Sequence, residues 1–263
     1  MAAKTETLAS RQQLILHRLQ ESGKVSINEL CSSLGASLAT IRRDLNILEG
    51  RSLLRRTRGG AIPIGPLFYE AFLLDASFQD RVNRSADEKR RIARAAAALV
   101  HRGDTVALSG GTTTTEVVRS LKVLSGITIV TNTVNVAMEL SGCSEIEVIV
   151  TGGQLRGNWF TLVGPLATMA ADMIFADIMF IGVDGIDAEQ GLTCTNSAEA
   201  DFLRHLVQHA KKRVVVADHT KIGVKAKWLL CPATEVDMLI TDRGATTASV
   251  ERFENIGIAV SLV

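Results

Sequence analysis

The sequence predicts an α/β protein made of an N-terminal winged helix-turn-helix and a Rossmann-like, largely parallel α/β domain. Three observations predict it. Short helical patterns separated by a glycine turn, then a basic hairpin pattern, fill the first 62 residues. Seven short runs rich in β-branched residues follow, with helical patterns or glycine loops between most of them. Pro63, Gly65 and Pro66 break regular structure between the two parts. At 263 residues, 46% hydrophobic and 22% charged, the chain can bury a sizeable core and does not read as disordered.

The first helix is expected after Ser10, with Leu14, Ile15 and Leu19 at helical spacing, Leu16 as a further candidate, and Gly23 as its stop. Ser26-x-x-Glu29 is a capping box, in which hydroxyl and carboxylate satisfy orphan backbone donors reciprocally. It opens a second helix with Ile27, Leu30 and Leu34 inward, and Gly35 suits its left-handed end. Ser37 caps a third helix, Leu38 to about Glu49, with Ile41, Leu45 and Leu48 facing inward. Ser37, Ala39, Thr40, Arg42, Arg43 and Asn46 are left to meet double-stranded DNA. Small residues permit close approach to base edges, and arginines reach phosphate or guanine. Asp44 is expected to orient an arginine or a backbone group. Arg55, Arg56, Arg58 and Gly59 form a basic turn between two β-prone stretches, a wing against phosphates or in a minor groove. Charge agrees. Ten Lys/Arg against five acids give residues 1–62 a net +5 and leave −4 for the rest.

Arg11, Ile15 and Leu19, then Ser37-x-x-Thr40-Ile41-Arg42-Arg43-Asp44-Leu45 and Arg58-Gly59-Gly60-Ala61, resemble the N-terminal signature of the DeoR family of bacterial regulators. The boundaries drawn are 1–62 for the DNA-binding domain, 63–85 for a linker with a connecting helix over Leu67–Asn83, and 86–263 for the second domain.

That domain opens with a helix from Glu88-Lys89-x-x-Ile92-Ala93 through Val100. Its strands are expected at Thr105–Ser109, Ile127–Thr131, Ile146–Thr151, Ile178–Ile181, Arg213–Ala217, Val236–Thr241 and Ile258–Ser261. Ligands of such sheets bind beyond the strands' carboxyl ends, and the residues there are polar. Ser109-Gly110-Gly111-Thr112-Thr113-Thr114-Thr115 leads from strand to helix, a turn whose amides and hydroxyls suit an anion or an ordinary tight turn equally. It is neither a P-loop nor a dinucleotide fingerprint. Thr131-Asn132, Thr151-Gly152-Gly153 with Arg156, the Gly182–Asp187 run and Asp218-x-x-Lys221 end other strands; Asp187 reads as a turn residue.

The second domain also resembles the DeoR effector domain, itself similar to ribose-5-phosphate isomerase, so the resemblance spans roughly residues 10–241. It implies a transcriptional repressor of a carbohydrate-catabolism operon, governed by a phosphorylated sugar or polyol. It further implies that Gly111, Thr112, Thr113 and Thr114 cradle phosphate and that Asn132, Gly153, Arg156, Asp184 and Lys221 form the wider pocket. Two residues depart from the family pattern: Ser109, often Asp, and Leu203, often Lys or Asn nearby. Both suggest a sugar unlike the common ones, or weaker anion binding.

An aldose–ketose isomerase is the competing reading, with Asp184-Gly185-Ile186-Asp187 as an acidic loop and Glu199 as base. Gly191–Asn196 lacks the lysine of that chemistry, however, and an enzyme has no need of residues 1–62. His205 and His209 stand at i, i+4 without an evident third ligand, and the four cysteines are scattered. No metal, cofactor or membrane span is expected. A cytoplasmic location and a homo-oligomer, dimer or tetramer, are expected, because one short helix and a wing offer little operator interface.

Overall fold

The computed structural model describes residues 11–50 except 13, 17, 20 and 21, then residues 54–63 and 81–263. The chain forms two compact units that divide between Ala71 and Phe72.

In the first unit the described residues from 11 to 22 are helical, apart from the masked positions. Ile15 and Leu19 are buried, while Leu14 is 51% exposed and lies off the expected inner stripe. Then follow β1 (Val25–Ser26), α1 (Ile27–Leu34), α2 (Leu38–Gly50), β2 (Leu54–Thr57) and β3 (Gly60–Pro63). The capping box forms: Glu29 N donates to Ser26 Oγ, and Ser26 N to the Glu29 carboxylate. Gly35 ends α1 at φ 60°, the left-handed conformation that glycine takes without strain. β2 and β3 form a hairpin across Arg58-Gly59, and β3 also pairs with β1. Ile15, Leu19, Leu30, Ile41, Leu45, Leu48 and Leu54 are buried together as its core.

The second unit begins with helical residues 81–83 and α3 (Ala86–Ala97), followed by β4 (Thr105–Leu108), α4 (Thr112–Leu121), β5 (Ile127–Thr131), α5 (Val134–Leu140) and β6 (Ile146–Val150). A hairpin of β7 (Gln154–Arg156) and β8 (Thr161–Val163) leads to α6 (Pro165–Asp172) and β9 (Ala176–Ile181). Next come β10 (Gly185–Asp187), β11 (Gly191–Cys194), α7 (Ser197–Gln208), β12 (Ala210–Val216), β13 (Trp228–Cys231), β14 (Met238–Thr241), α8 (Thr247–Glu254) and β15 (Ala259–Leu262).

The seven expected runs are the seven strands of one sheet, in the order β15-β14-β12-β9-β4-β5-β6, and every neighbouring pair is parallel. Such strands are covered on both faces. In β9, Ile178 and Phe180 pack with α3, α4 and α5, whereas Met179 and Ile181 pack with α6, α7 and α8. The antiparallel β7–β8 pair and the small sheet β10-β11-β13 were not expected. Most of the expected connecting helix over Leu67–Asn83 lies outside the described residues. At the C-terminal end of the expected linker, the carbonyls of Arg81 and Arg84 accept from Lys89, and Arg81 lies over Trp159, so this end is bound to the second unit. Among the described residues no helix is long and apolar enough to cross a membrane.

Candidate functional site

The first unit presents one surface, built on α2. Ser37 Oγ accepts from Thr40 N at 3.2 Å and caps the helix, so Ser37 and Thr40 fix its start. Ile41, Asp44, Leu45 and Leu48 are buried, which leaves Ala39, Arg42, Arg43 and Asn46 exposed. Asp44 is 1% exposed and accepts from Arg11 Nε at 2.5 Å. That bond raises the Arg11 pKa and anchors α2 from within. The wing is tied to the same helix: Arg56 donates to the Asn46 side-chain oxygen, and its amide donates to Glu49 at 2.9 Å. Arg55, Arg58 and Gly59 are exposed on the hairpin.

In the large sheet the chain runs from β4 outward to β5 and β6, then crosses back to β9 on the other side of β4. Beyond the carboxyl ends of β4 and β9 lies the crevice where such a sheet takes a ligand. A cavity is there, lined by Gly110, Gly111, Thr112 and Thr113 after β4, by Gly182 and Asp184 after β9, and by Asp218, Thr220 and Lys221 after β12. Ser109 Oγ accepts from Gly182 N at 2.8 Å and joins the two central turns, the local role of a residue that departs from the family pattern. α4 has no side-chain cap at Gly111, so its first amides keep no intrahelical partner.

Gly111, Thr112, Thr113, Asp184 and Lys221 thus share one cavity wall, while four other expected residues stand outside it. Thr114 is fully buried, and its hydroxyl donates to the Gly111 carbonyl at 2.9 Å. Asn132 is also fully buried, its amide donating to Leu162 O at 2.9 Å. Gly153 is close-packed: a Cβ there would sit 2.7 Å from the Val163 carbonyl oxygen. Arg156 pairs with Glu199 at 3.0 Å, behind the wall that Glu199 itself lines. Burial raises the Glu199 pKa, and Arg156 acts against that rise.

The sequence reading missed Arg81, Arg84, Lys89 and Trp159, all of which line the cavity. The signal for Lys89 was its spacing from Ile92, Ala93 and Ala96, which places it on the buried face of α3. Leu203, the second departure, is 2% exposed in the wall and supplies apolar floor. Burial pushes the Cys194 thiol up to about 11, so it stays protonated. His205 Nδ1 pairs with Asp172 and His209 Nδ1 with the His205 carbonyl, so each ring has its own partner.

Behind the Asp218–Lys221 turn, Asp242 accepts from the amides of His219 and Gly244 at 2.8 and 2.9 Å and contacts His219 Nδ1 at 2.8 Å. Burial works to raise its pKa, but these bonds outweigh burial and hold it below the ordinary range. A depressed folded-state pKa gives stability that is present above the unfolded value and lost as pH falls through the folded one. Asp242→Asn is expected to cost about 1–3 kcal/mol at pH 7, since an amide offers one acceptor where two oxygens now accept. It should also flatten the loss of Tm below about pH 4. Equal melting curves for both proteins at pH 7 and pH 3 would remove Asp242 from the support of this turn.

Residues 84–243 match the family described as the DeoR C terminal sensor domain, and residues 11–65 match the DeoR-like helix-turn-helix domain. The HTH-type transcriptional regulator GolR of Listeria innocua is 34% identical over 96% of this chain and 97% of its own. The regulator GlpR of Haloferax volcanii is 35% identical over 96% of each chain. A putative aga operon transcriptional repressor of Escherichia coli O157:H7 is 32% identical over 97% of this chain and 94% of its own. A ribose 5-phosphate isomerase A structure from Methanocaldococcus jannaschii aligns over 52% of this chain and 55% of that one, at 20% identity and TM-score 0.38, too distant to bear on activity. The relatives are named as regulators and repressors, not as enzymes. With both of its parts matched and near-full-length relatives of that kind, the chain belongs to the DeoR family of DNA-binding transcriptional regulators.

Proposed function

We propose that the protein represses a carbohydrate-catabolism operon and that a phosphorylated sugar or polyol in the cavity modulates its hold on operator DNA. One observation carries the reading. The open N-terminus of α4 shares a cavity with the cations of Lys89 and Lys221 and with the carboxylates of Asp184, Asp218 and Glu199. Amides at a helix start and ammonium groups suit a phosphate, and carboxylate oxygens accept from sugar hydroxyls. Asp184 spends one oxygen on Thr195 and Asp218 spends one on Thr220, so each keeps another. The sensor-domain match and a relative named for an operon support the same reading.

The reading includes a homo-oligomer, dimer or tetramer, with a second copy of this chain against α6. That helix is inverted: Ala167 and Ala171 are buried while Leu166, Met169 and Met173, with Phe175 just beyond, are 57–77% exposed. Large apolar side chains at i, i+3 and i+7 form a stripe suited to a helix partner. One winged unit alone contacts too little DNA for operator affinity at cellular salt.

The test is a thermal-shift screen against sugar phosphates and their unphosphorylated parents, run on wild type and Thr113→Val. A rise in Tm that needs the phosphate is expected, since a ligand of the native state stabilises it by mass action. Thr113→Val, which removes a hydroxyl from the wall, is expected to weaken that ligand about tenfold or more. No shift for wild type across the panel would overturn the sensor assignment.

A further inference from the structure

Lys89 has surroundings that a simple phosphate contact does not require. It stands in the first turn of α3 and is 4% exposed. An ammonium buried that far needs acceptors. Its Nζ donates to the backbone carbonyl of Arg81 and, at 2.6 Å, to that of Arg84. An ammonium carries three donors. The third meets no acceptor among the described residues, and Lys89 lines the cavity.

The two carbonyls belong to the short segment that opens the second unit. A second anchor is aromatic: the Arg81 guanidinium lies 3.7 Å from the centre of the Trp159 ring. N-terminal to residue 81 the chain continues to the wing. The stretch of chain that joins the sensor to the DNA-reading unit is therefore held, at its sensor end, by two residues of the cavity wall.

We propose that Lys89 couples cavity to linker: an anionic group of the ligand takes the third donor of its ammonium and draws it off the carbonyls of Arg81 and Arg84. The proposal rests on the sensor reading above. The ammonium's bonds to carbonyls are already charge-assisted, but an anion adds the attraction of a full opposite charge, so Nζ is drawn toward it. A ligand shifts an equilibrium only through different interactions with its two states. Here those states are the segment held by Lys89 and the segment released. Lys89 acts on the DNA-reading unit through that segment and is a positioning residue for it.

The experiment uses full-length wild type, Lys89→Met and Lys89→Arg, with a duplex selected by the wild-type protein from a random pool. The probes are glucose 6-phosphate, fructose 6-phosphate, ribose 5-phosphate and glycerol 3-phosphate. Thermal shift reads ligand binding, and the ratio of operator Kd with and without saturating ligand reads coupling. Wild type is expected to show a ratio of roughly 5–150-fold, in either direction. Lys89→Met should still bind the same probe, about tenfold more weakly, with its operator ratio within about twofold of one. Lys89→Arg should recover part of the ratio, which a merely structural role would not require. A wild-type ratio in ligand-saturated Lys89→Met overturns the proposal. If Lys89→Met fails to fold, Trp159→Leu, which removes the aromatic anchor, should change the ratio, and an unchanged ratio there overturns it equally. Wild type that responds to no probe in either assay overturns the sensor reading itself, and the coupling with it.

Discussion

Arg43→Ala is expected to weaken operator binding by about 1–3 kcal/mol, roughly 5- to 150-fold, with the melting curve unchanged. Arg43 is exposed on α2 and has no partner among the described residues. Its neighbours fix where it points. Ile41 and Leu45 bury the opposite face, and Asp44, held by Arg11, resists rotation of the helix. The guanidinium is thus presented at little ordering cost, and a bidentate contact to guanine or phosphate is within its chemistry. Asn46 is a poorer test, because its oxygen is bonded to Arg56 and its loss would disturb the wing. An electrophoretic titration at fixed salt measures the effect. Operator affinity equal to wild type would take α2 out of the groove.

Gly60→Ala should do more damage, through the backbone. A Cβ at residue 60 would lie 1.8 Å from the carbonyl oxygen of Val25, closer than any non-bonded contact allows. Gly60 is paired with Ser26 where β3 meets β1, and Ile27 N bonds the Gly59 carbonyl at 2.9 Å. Alanine must break that ladder or move the hairpin, and either disturbs the entry to α1. A loss of about 4 kcal/mol belongs to the upper tail of single substitutions. A unit this small is only marginally stable, so it should unfold. The expected result is a low-temperature transition absent from wild type, lost operator binding and a retained sensor transition. Wild-type melting together with wild-type operator affinity would show that this crossing does not support the reader.

The five inner parallel strands were legible because strands buried on both faces read as short β-branched runs, and the largely exposed edge strands β6 and β15 because their β-branched residues mark them all the same; all seven runs fell in one sheet. The small antiparallel strands were not: Gln154–Arg156 and Gly185–Asp187 span three residues each, too few for alternation to register. In the cavity, glycine misled. Gly111 lines the wall, whereas Gly153 is glycine because the Val163 carbonyl occupies the space of its side chain, and a sequence reads alike for both causes. Asn132 misled similarly, since an amide buried on Leu162 O resembles one kept for a ligand. Lys89 was passed over because a lysine in an alanine-rich helix ordinarily faces water.

The turn after β4 has an evolutionary consequence. Thr114 and Thr115 both donate their hydroxyls to the Gly111 carbonyl, so those donors are committed before any ligand arrives. On the proposed reading, an anion there would meet the main-chain amides of this turn, which most single codon changes leave in place, beside the Thr113 hydroxyl and the ammonium groups of Lys89 and Lys221. Asp184, Asp218, Glu199 and Leu203 line the same cavity and carry side chains that single substitutions can alter. On that reading, a lineage carrying this turn would exchange one preferred ligand for another by altering those side chains, while its affinity for the shared anionic group would persist throughout the change.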